Sequence, residues 1–493
     1  MSSTRYRLAL RGESLLLPFH VLIALVLCQC CILSETEVAS WVSVFCFLLV
    51  YASLCAIRPE FIFKYVYLHY VVIGHLLGVM IVEFGDVYLY ELGIASGFTG
   101  SCPLLVFTRF IFLMVLYYLD MAFGGNIPQR RKDEIGRSEK WIKVATILFL
   151  VLTLYCFINV FPYPSFFNSL DKFAYMSQVL SGWPGRVNVL LIYLLPLLAL
   201  GLVYGNRKLS AAALVVYAVY LFWCGQRFGM FLAVATVILA CFFDKLILVR
   251  SKSDLAKGLL FLLLVFIGIL SVTALSQIVV GGLTGQELVD FFSDRFAMQG
   301  EVWSVAYGLI NEGGPISVSD SFLDEICSWF DPSQERKVQN SYGIYKMMAL
   351  VGQGNPSYYS GLILGGARFT EGALASVYFY FDWAGCLSFA VISAAASFFL
   401  YNGLIRSFAQ RSIIESVCYW YLLYVSFTSL SMFTFNDFFT PIGIVCIAIV
   451  VIKKIMPNSN RFSKNSTWLS GAVDDHRSPS SCRCAAGAKL DSK

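Results

Sequence analysis

The chain of 493 residues is 58% hydrophobic and 14% charged, with a positive mean hydropathy. An ordinary soluble domain carries about 25% charge, so this composition excludes one and marks a membrane protein. The formal charge of +5 means little as a sum, because in such a protein each charge acts through its position relative to the bilayer.

Apolar runs of roughly 17 to 25 residues are long enough to span a membrane as helices. Twelve occur, at about 15–33, 41–57, 61–82, 103–124, 141–162, 187–204, 210–225, 229–243, 258–280, 372–401, 413–433 and 438–453. The seventh and eighth are short and separated only by GQRFGM at 225–230, which fits either two spans or a re-entrant pair. The fold class predicted is therefore an all-α polytopic membrane protein of about 12 transmembrane helices. Positive charge gathers before the first span (Arg5, Arg7, Arg11), after the fourth (Arg130, Arg131, Lys132, Arg137, Lys140) and after the sixth (Arg207, Lys208). It recurs after the eighth (Lys245, Arg250, Lys252, Lys257), the tenth (Arg406, Arg411) and the twelfth (Lys453, Lys454). The positive-inside rule then puts both termini in the cytoplasm. The opposite loops agree: SETEVAS at 34–40, the 83–102 loop with Glu83, Asp86 and Glu91, and NDFF at 436–439 are acidic or nearly uncharged. The first run lacks a small-residue cleavage site and is followed by more spans, so no cleavable signal is expected.

This reading divides the chain into four parts. Residues 1–280 hold about nine spans, 281–371 form a large external (periplasmic) loop containing helices, 372–455 hold about three spans, and 456–493 form a polar cytoplasmic tail with a disordered composition. Most of the fifteen cysteines fall inside spans, where cysteine acts as a small apolar residue. Only Cys102 and Cys327 fall in external segments, and sequence leaves their pairing open. CRC at 482–484 is weak evidence for zinc.

His69 and His75, six residues apart on the third span, do not share a face and read as interior polar residues rather than a metal pair. Arg109 is embedded in LLVFTRFIFLM of the fourth span, roughly two turns from its outer end. An intramembrane charge usually faces the protein interior and marks a pathway or site. Arg227 lies in the glycine-flanked GQRFGM turn, where backbone N–H groups can approach an anion; interfacial anchoring is its plainer reading.

The loop of roughly 90 residues is too long for a connector. Thr284 and Glu287 have capping-box spacing and predict a helix over about 285–310. On it Glu287, Asp290, Asp294 and Glu301 form an acidic stripe, most simply a solvated face. Within DRFAMQGEVW (294–303), Arg295 and Gln299 fall inside an apolar arc of Phe291, Phe292, Phe296, Val302 and Trp303. A buried guanidinium is costly unless paired. Either Arg295 pairs with Asp294 or Glu301, or snorkels, or it lines a cavity and takes an anion, for which its planar fork is suited. DPSQERKVQNSYGIYKMMAL at 331–350 predicts a second helix. Tyr358 and Tyr359 in GQGNPSYYSG, with Trp303, could stack on sugar rings or anchor at the interface. Arg368 in GGARFTEG precedes the tenth span, whose first turn carries Glu371.

Twelve spans, inward termini, a large late external loop, a Gly-Gln-Arg turn between short spans and an arginine-led loop helix together resemble the bacterial O-antigen polymerases (Wzy-type). DRFAMQGEVW and RFTEGALASVYFYFDWAG are its local carriers, and the topology covers about residues 1–455. The resemblance implies an inner-membrane glycosyltransferase that joins lipid-linked oligosaccharide repeat units on the periplasmic face. Its donor is an undecaprenyl-diphosphate-linked oligosaccharide, it works without metal or cofactor, and its partners are membrane lipids and a chain-length regulator of polysaccharide assembly, with no nucleic acid.

Such chemistry needs cations for the departing diphosphate, supplied here by Arg109, Arg227, Arg295 and Arg368. It also needs a base for the acceptor proton, with Glu371, Glu301 and Asp294 as candidates in that order. Gln299, Trp303, Tyr358 and Tyr359 complete the expected substrate contacts. The related ligases carry a functional histidine in this loop, whereas His20, His69, His75 and His476 all lie outside it, which disfavours ligase. A lipid-linked oligosaccharide flippase is the other alternative, although the two halves show no internal repeat of the kind common in transporters. An accessory subunit without an active site is the third. GxxxxGK[ST] is absent, so a nucleotide donor is not expected.

Overall fold

The computed structural model describes residues 2–89, 92–124, 135–165, 175, 178–225, 228–246, 282–313, 321–330, 343–352 and 372–455, with scattered positions between 260 and 278. Two units divide the chain, Met1–Ile447 and Ala448–Lys493; in the second, the described part is helical as far as Ile455. The predicted ninth span lies largely outside the described residues, and the tail from 456 lies wholly outside them.

Where the chain is described it is overwhelmingly helical. A backbone in hydrocarbon has no water to bond, so it must satisfy its N–H and C=O groups internally. The first half runs α1 (Ser2–Ile32), α2 (Glu37–Ile57), α3 (Pro59–Lys64), α4 (Val66–Phe84), α5 (Cys102–Phe123) and α6 (Ile135–Val160). After these come α7 (Trp183–Tyr193), α8 (Leu195–Tyr204), α9 (Arg207–Trp223) and α10 (Phe228–Leu246). A two-residue antiparallel ladder, Tyr88–Leu89 with Ile94–Ala95, follows α4. Local chemistry sets the starts. Thr36 and Asn206 accept from the N–H groups of Ala39 and Leu209 at 3.3 and 3.2 Å, and prolines open α3, α5, α7 and α8, where a missing N–H is harmless.

Among the described residues, six helices are long and apolar enough to cross a membrane, and the pair α7 and α8, bent by 47°, makes a seventh if taken as one span. The molecule is an α-helical membrane protein. Several predicted spans are not single straight helices. The third is interrupted at Tyr65 between α3 and α4, and the sixth at Leu194 between α7 and α8. GQRFGM is flanked by two separate helices, α9 and α10.

The loop region contributes α11 (Gln286–Ala297), α12 (Glu301–Asn311), α13 (Phe322–Phe330) and α14 (Gly343–Val351). The chain then continues as α15 (Ala373–Ala409), α16 (Ile413–Met432), a short 3₁₀ turn (Asn436–Phe439) and α17 (Pro441–Ile455). α15 is bent sharply at Asp382, whose φ of 57° and ψ of −161° are a glycine conformation. In consequence Cys386 Sγ lies 3.9 Å from the Leu374 carbonyl oxygen, although a straight helix would separate these residues by about 18 Å.

α5 is the centre of the bundle, with α1, α2, α4 and α15 packed around it, while α6, α8, α9 and α10 form a neighbouring group. One end of α5 is pinned by charge. Asp120 is buried and takes Lys64 Nζ at 2.5 Å, the Tyr65 hydroxyl at 3.0 Å and Arg58 at 3.5 Å. Asn402 of α15 donates in turn to the Tyr65 hydroxyl at 2.8 Å.

Candidate functional site

The predicted single helix over about 285–310 is two helices, with Met298–Gly300 as the turn between them. The cause is a backbone contact. Gly300 rests directly on Gly78 and Val79 of α4, so that a Cβ on Gly78 would stand 2.6 Å from the Gly300 nitrogen and no side chain fits at either glycine. At the start of α11 only half of the capping box forms: the Thr284 N–H donates to Glu287 at 3.2 Å, while Gly285 is the N-cap and no side chain caps the helix.

The break reassigns the residues of DRFAMQGEVW. Arg295 is exposed rather than enclosed in an apolar arc, with its guanidinium 5.2 Å over the Phe291 ring and Nη1 3.1 Å from Met298 Sδ. No ion pair joins it to Asp294 or Glu301 among the described residues. Gln299 lies half-buried in the turn. Glu301 and Trp303 face inward and are fully enclosed, so Glu301 leaves the acidic stripe while Glu287 and Asp290 remain solvated. The Trp303 indole donates to the Ser101 carbonyl at 3.2 Å and packs edge-on against Tyr378. Its ring faces are committed to the protein interior rather than presented to a ligand.

Arg295→Met is accordingly expected to change stability by no more than about 0.5 kcal/mol, measured by thermal unfolding in detergent. A loss of about 3–5 kcal/mol would reveal a hidden ion pair.

α12 is docked through a second contact. Glu83, at the end of α4, accepts from Thr99 Oγ1 at 3.0 Å, the Ser101 N–H at 2.6 Å, the Ser101 hydroxyl at 2.8 Å and the Cys102 N–H at 3.2 Å. A carboxylate there satisfies the otherwise unpaired N–H groups at the start of α5. Ser101 then meets Ser304 of α12 at 2.9 Å. Asp294, by contrast, is half-buried, and its Oδ1 is enclosed with no hydrogen-bond partner among the described residues. Burial pushes its carboxyl up against the downward pull of neighbouring Arg295, which suits a proton acceptor.

Arg109 occupies the most distinctive setting. A cavity of about 370 Å³ opens between α4, α5, α10, α15 and α16, with Arg109 as the cationic residue of its lining. Ser393, Ser397, Thr428, Ser431, Tyr67 and Tyr424 also line it, with the Thr428 and Ser431 hydroxyls donating to the Tyr424 and Thr428 carbonyls, while Phe112, Phe389 and Phe427 supply apolar wall. Gly229 and Met230, immediately after the GQRFGM arginine, complete its α10 side. His75, fully buried on α4, meets Arg109 Nη2 through Nδ1 at 2.5 Å. His69 instead meets the Tyr51 hydroxyl at 2.8 Å, so the two histidines serve different partners.

A third cluster was not anticipated from sequence. Glu325 of α13 is fully enclosed and accepts from the Gly343 N–H at 2.8 Å, the Tyr380 hydroxyl at 3.0 Å and the Trp329 indole at 3.2 Å, with Lys346 Nζ at 3.9 Å. Lys346, equally buried, donates to the Tyr380 hydroxyl. Burial pushes the Glu325 carboxyl up despite these donors. The cluster ties α13 and α14 to the first part of α15. Its only sequence trace is a Glu, a Lys and a Tyr in otherwise apolar helical segments.

Arg227, Arg368, Glu371, Tyr358 and Tyr359 lie outside the described residues, as does 331–342 of the predicted second loop helix. Cys102 is buried and Cys327 exposed, both as free thiols. Among the described residues no group of three or more His, Cys, Asp and Glu is placed to hold a metal ion.

The sequence profile of a family described as "Family of unknown function (DUF6418)" matches residues 337–447, a stretch that contains α14, α15 and α16. Comparison with curated proteins and with solved structures gives no significant match. Fold and composition thus define the class, a polytopic α-helical membrane protein, and the chemistry of its cavity carries the functional argument.

Proposed function

We propose that this protein polymerises lipid-linked oligosaccharide repeat units by glycosyl transfer from undecaprenyl diphosphate on the external face of a bacterial inner membrane. The observation that carries the reading is Arg109 lining a cavity between membrane helices, among hydroxyls and aromatic walls. A guanidinium in such a low-dielectric setting binds phosphate oxygens strongly, hydroxyls suit a glycan, and the apolar wall suits a polyprenyl chain. In this reading the chain spans the membrane twelve times with both termini cytoplasmic, and α11–α14 belong to a periplasmic loop over the cavity. Arg227 and Arg368 join Arg109 in holding the diphosphate, Arg295 meets substrate from the exposed face of α11, and Asp294 or Glu371 takes the acceptor proton.

A flippase also needs a cationic cavity among its helices, so the same observation supports a second reading. Loss of the protein separates the two. A polymerase mutant accumulates single lipid-linked repeat units on the external face, whereas a flippase mutant accumulates them on the cytoplasmic face. In a deletion strain, Arg109→Gln is expected to reach normal protein level and restore no long polymer, while Arg109→Lys restores part of it because charge survives without the planar fork. Full polymer from Arg109→Gln, or external repeat units lost along with the polymer, would overturn the polymerase reading. Reporters fused near 330 should be periplasmic and those near 135 and 250 cytoplasmic.

A further inference from the structure

The contact between Arg109 and His75 raises a question that the cavity alone does not answer. Arginine stays protonated in proteins and offers only donors. The 2.5 Å contact from Arg109 Nη2 to His75 Nδ1 therefore requires Nδ1 to be the acceptor, which makes His75 neutral and places its proton on Nε2. An imidazolium would present N–H to N–H and repel the guanidinium. His75 thus holds the arginine by a hydrogen bond without contributing an opposing negative charge. A carboxylate in its place would hold Arg109 as firmly but would also neutralise it, leaving little attraction for an anion.

The surroundings favour one orientation. His75 is 1% exposed, and it sits about one turn along α4 from Val71 and two from Tyr67 and Leu68, which line the cavity as Arg109 does. The imidazole therefore approaches from the interior of the bundle.

We infer that His75 is a positioning residue, a neutral acceptor that fixes the Arg109 guanidinium toward a phosphate-bearing amphiphile in the cavity. The inference rests on the reading of the cavity as the lipid-diphosphate site. An arginine held in place before the ligand arrives loses less rotamer freedom on binding, an effect worth about a threefold to tenfold gain in affinity per ordered side chain.

The test uses purified full-length protein in nanodiscs and measures binding calorimetrically, so that it does not depend on polymerising activity. The probes are farnesyl diphosphate, inorganic diphosphate and farnesol, which separate a lipid diphosphate from a free one and from the apolar chain alone. His75→Asn keeps a carbonyl oxygen near the Nδ1 position, whereas His75→Leu keeps volume and removes the acceptor. The expected result is that His75→Leu binds farnesyl diphosphate about tenfold more weakly with farnesol binding unchanged, and that His75→Asn recovers most of the difference at equal melting temperature. If His75→Leu binds like the wild type, or His75→Asn fails as badly as His75→Leu, the positioning role is overturned while the polymerase reading stands or falls on its own assay. If inorganic diphosphate binds as tightly as the farnesyl compound, the ligand is a free anion and the inference fails. If wild-type protein prefers farnesol to farnesyl diphosphate, the cavity is not an anion site and the inference fails.

Discussion

Asp120→Ala is expected to destabilise the protein by about 3–5 kcal/mol. Its carboxylate is 5% exposed and takes both Lys64, itself 4% exposed at the side chain, and Arg58. Removing it strands a lysine in a low-dielectric interior, where an uncompensated charge is far costlier than the pair was favourable. The Tyr65 hydroxyl would lose its acceptor as well. Thermal unfolding in detergent should show the drop. The double variant Lys64→Met with Asp120→Leu should recover most of it, because apolar groups of similar volume replace a buried pair at little cost. If the single variant unfolds like the wild type, the network contributes nothing to the fold.

Gly300→Val should be comparably severe, but through geometry rather than charge. The Gly300 backbone touches the Gly78–Val79 backbone, so any side chain must push α11 and α12 away from α4. Glu301 and Trp303 follow within three residues, and both are fully enclosed. Displacement would break the Trp303–Ser101 and Ser304–Ser101 contacts together. Limited proteolysis should cut between 286 and 311 in the variant and spare the wild type, with loss of whatever activity the protein has. Gly300→Ala should fall between the two. Protection equal to wild type in Gly300→Val would show that the loop helices are held elsewhere.

These two sites show what the sequence made legible. Hydrophobic run length found nearly all the described membrane helices, because satisfying a backbone in lipid leaves few options. Arg109 was legible for the same reason: a lone charge inside an apolar run must face protein. Lys64 in EFIFKYVYLHY and Asp120 in LYYLDMAF carry that same mark, but only the fold shows that they pair. Arg295 misled because a helical wheel presumes an unbroken helix. Gly300 is itself a local hint of a break, but the contact that fixes it is with Gly78 on another helix, more than two hundred residues earlier. Glu325, Lys346 and Tyr380 likewise meet only through tertiary packing, and single-chain periodicity has no means of joining them.

The bend at Asp382 bears on how this chain fits a bilayer. Taken straight, the 37 residues of α15 would reach about 55 Å, far beyond a hydrocarbon core of about 30 Å. A helix so mismatched must tilt steeply, thicken the bilayer around it or break. Breaking at Asp382 leaves 383–409 at about 40 Å, close to the roughly 40–45 Å of a bilayer with its headgroup regions, and returns Ala373–Phe381 to the loop helices it packs against. The membrane-crossing stretch of α15 is thus shortened at one residue, held in a conformation that glycine would adopt without strain.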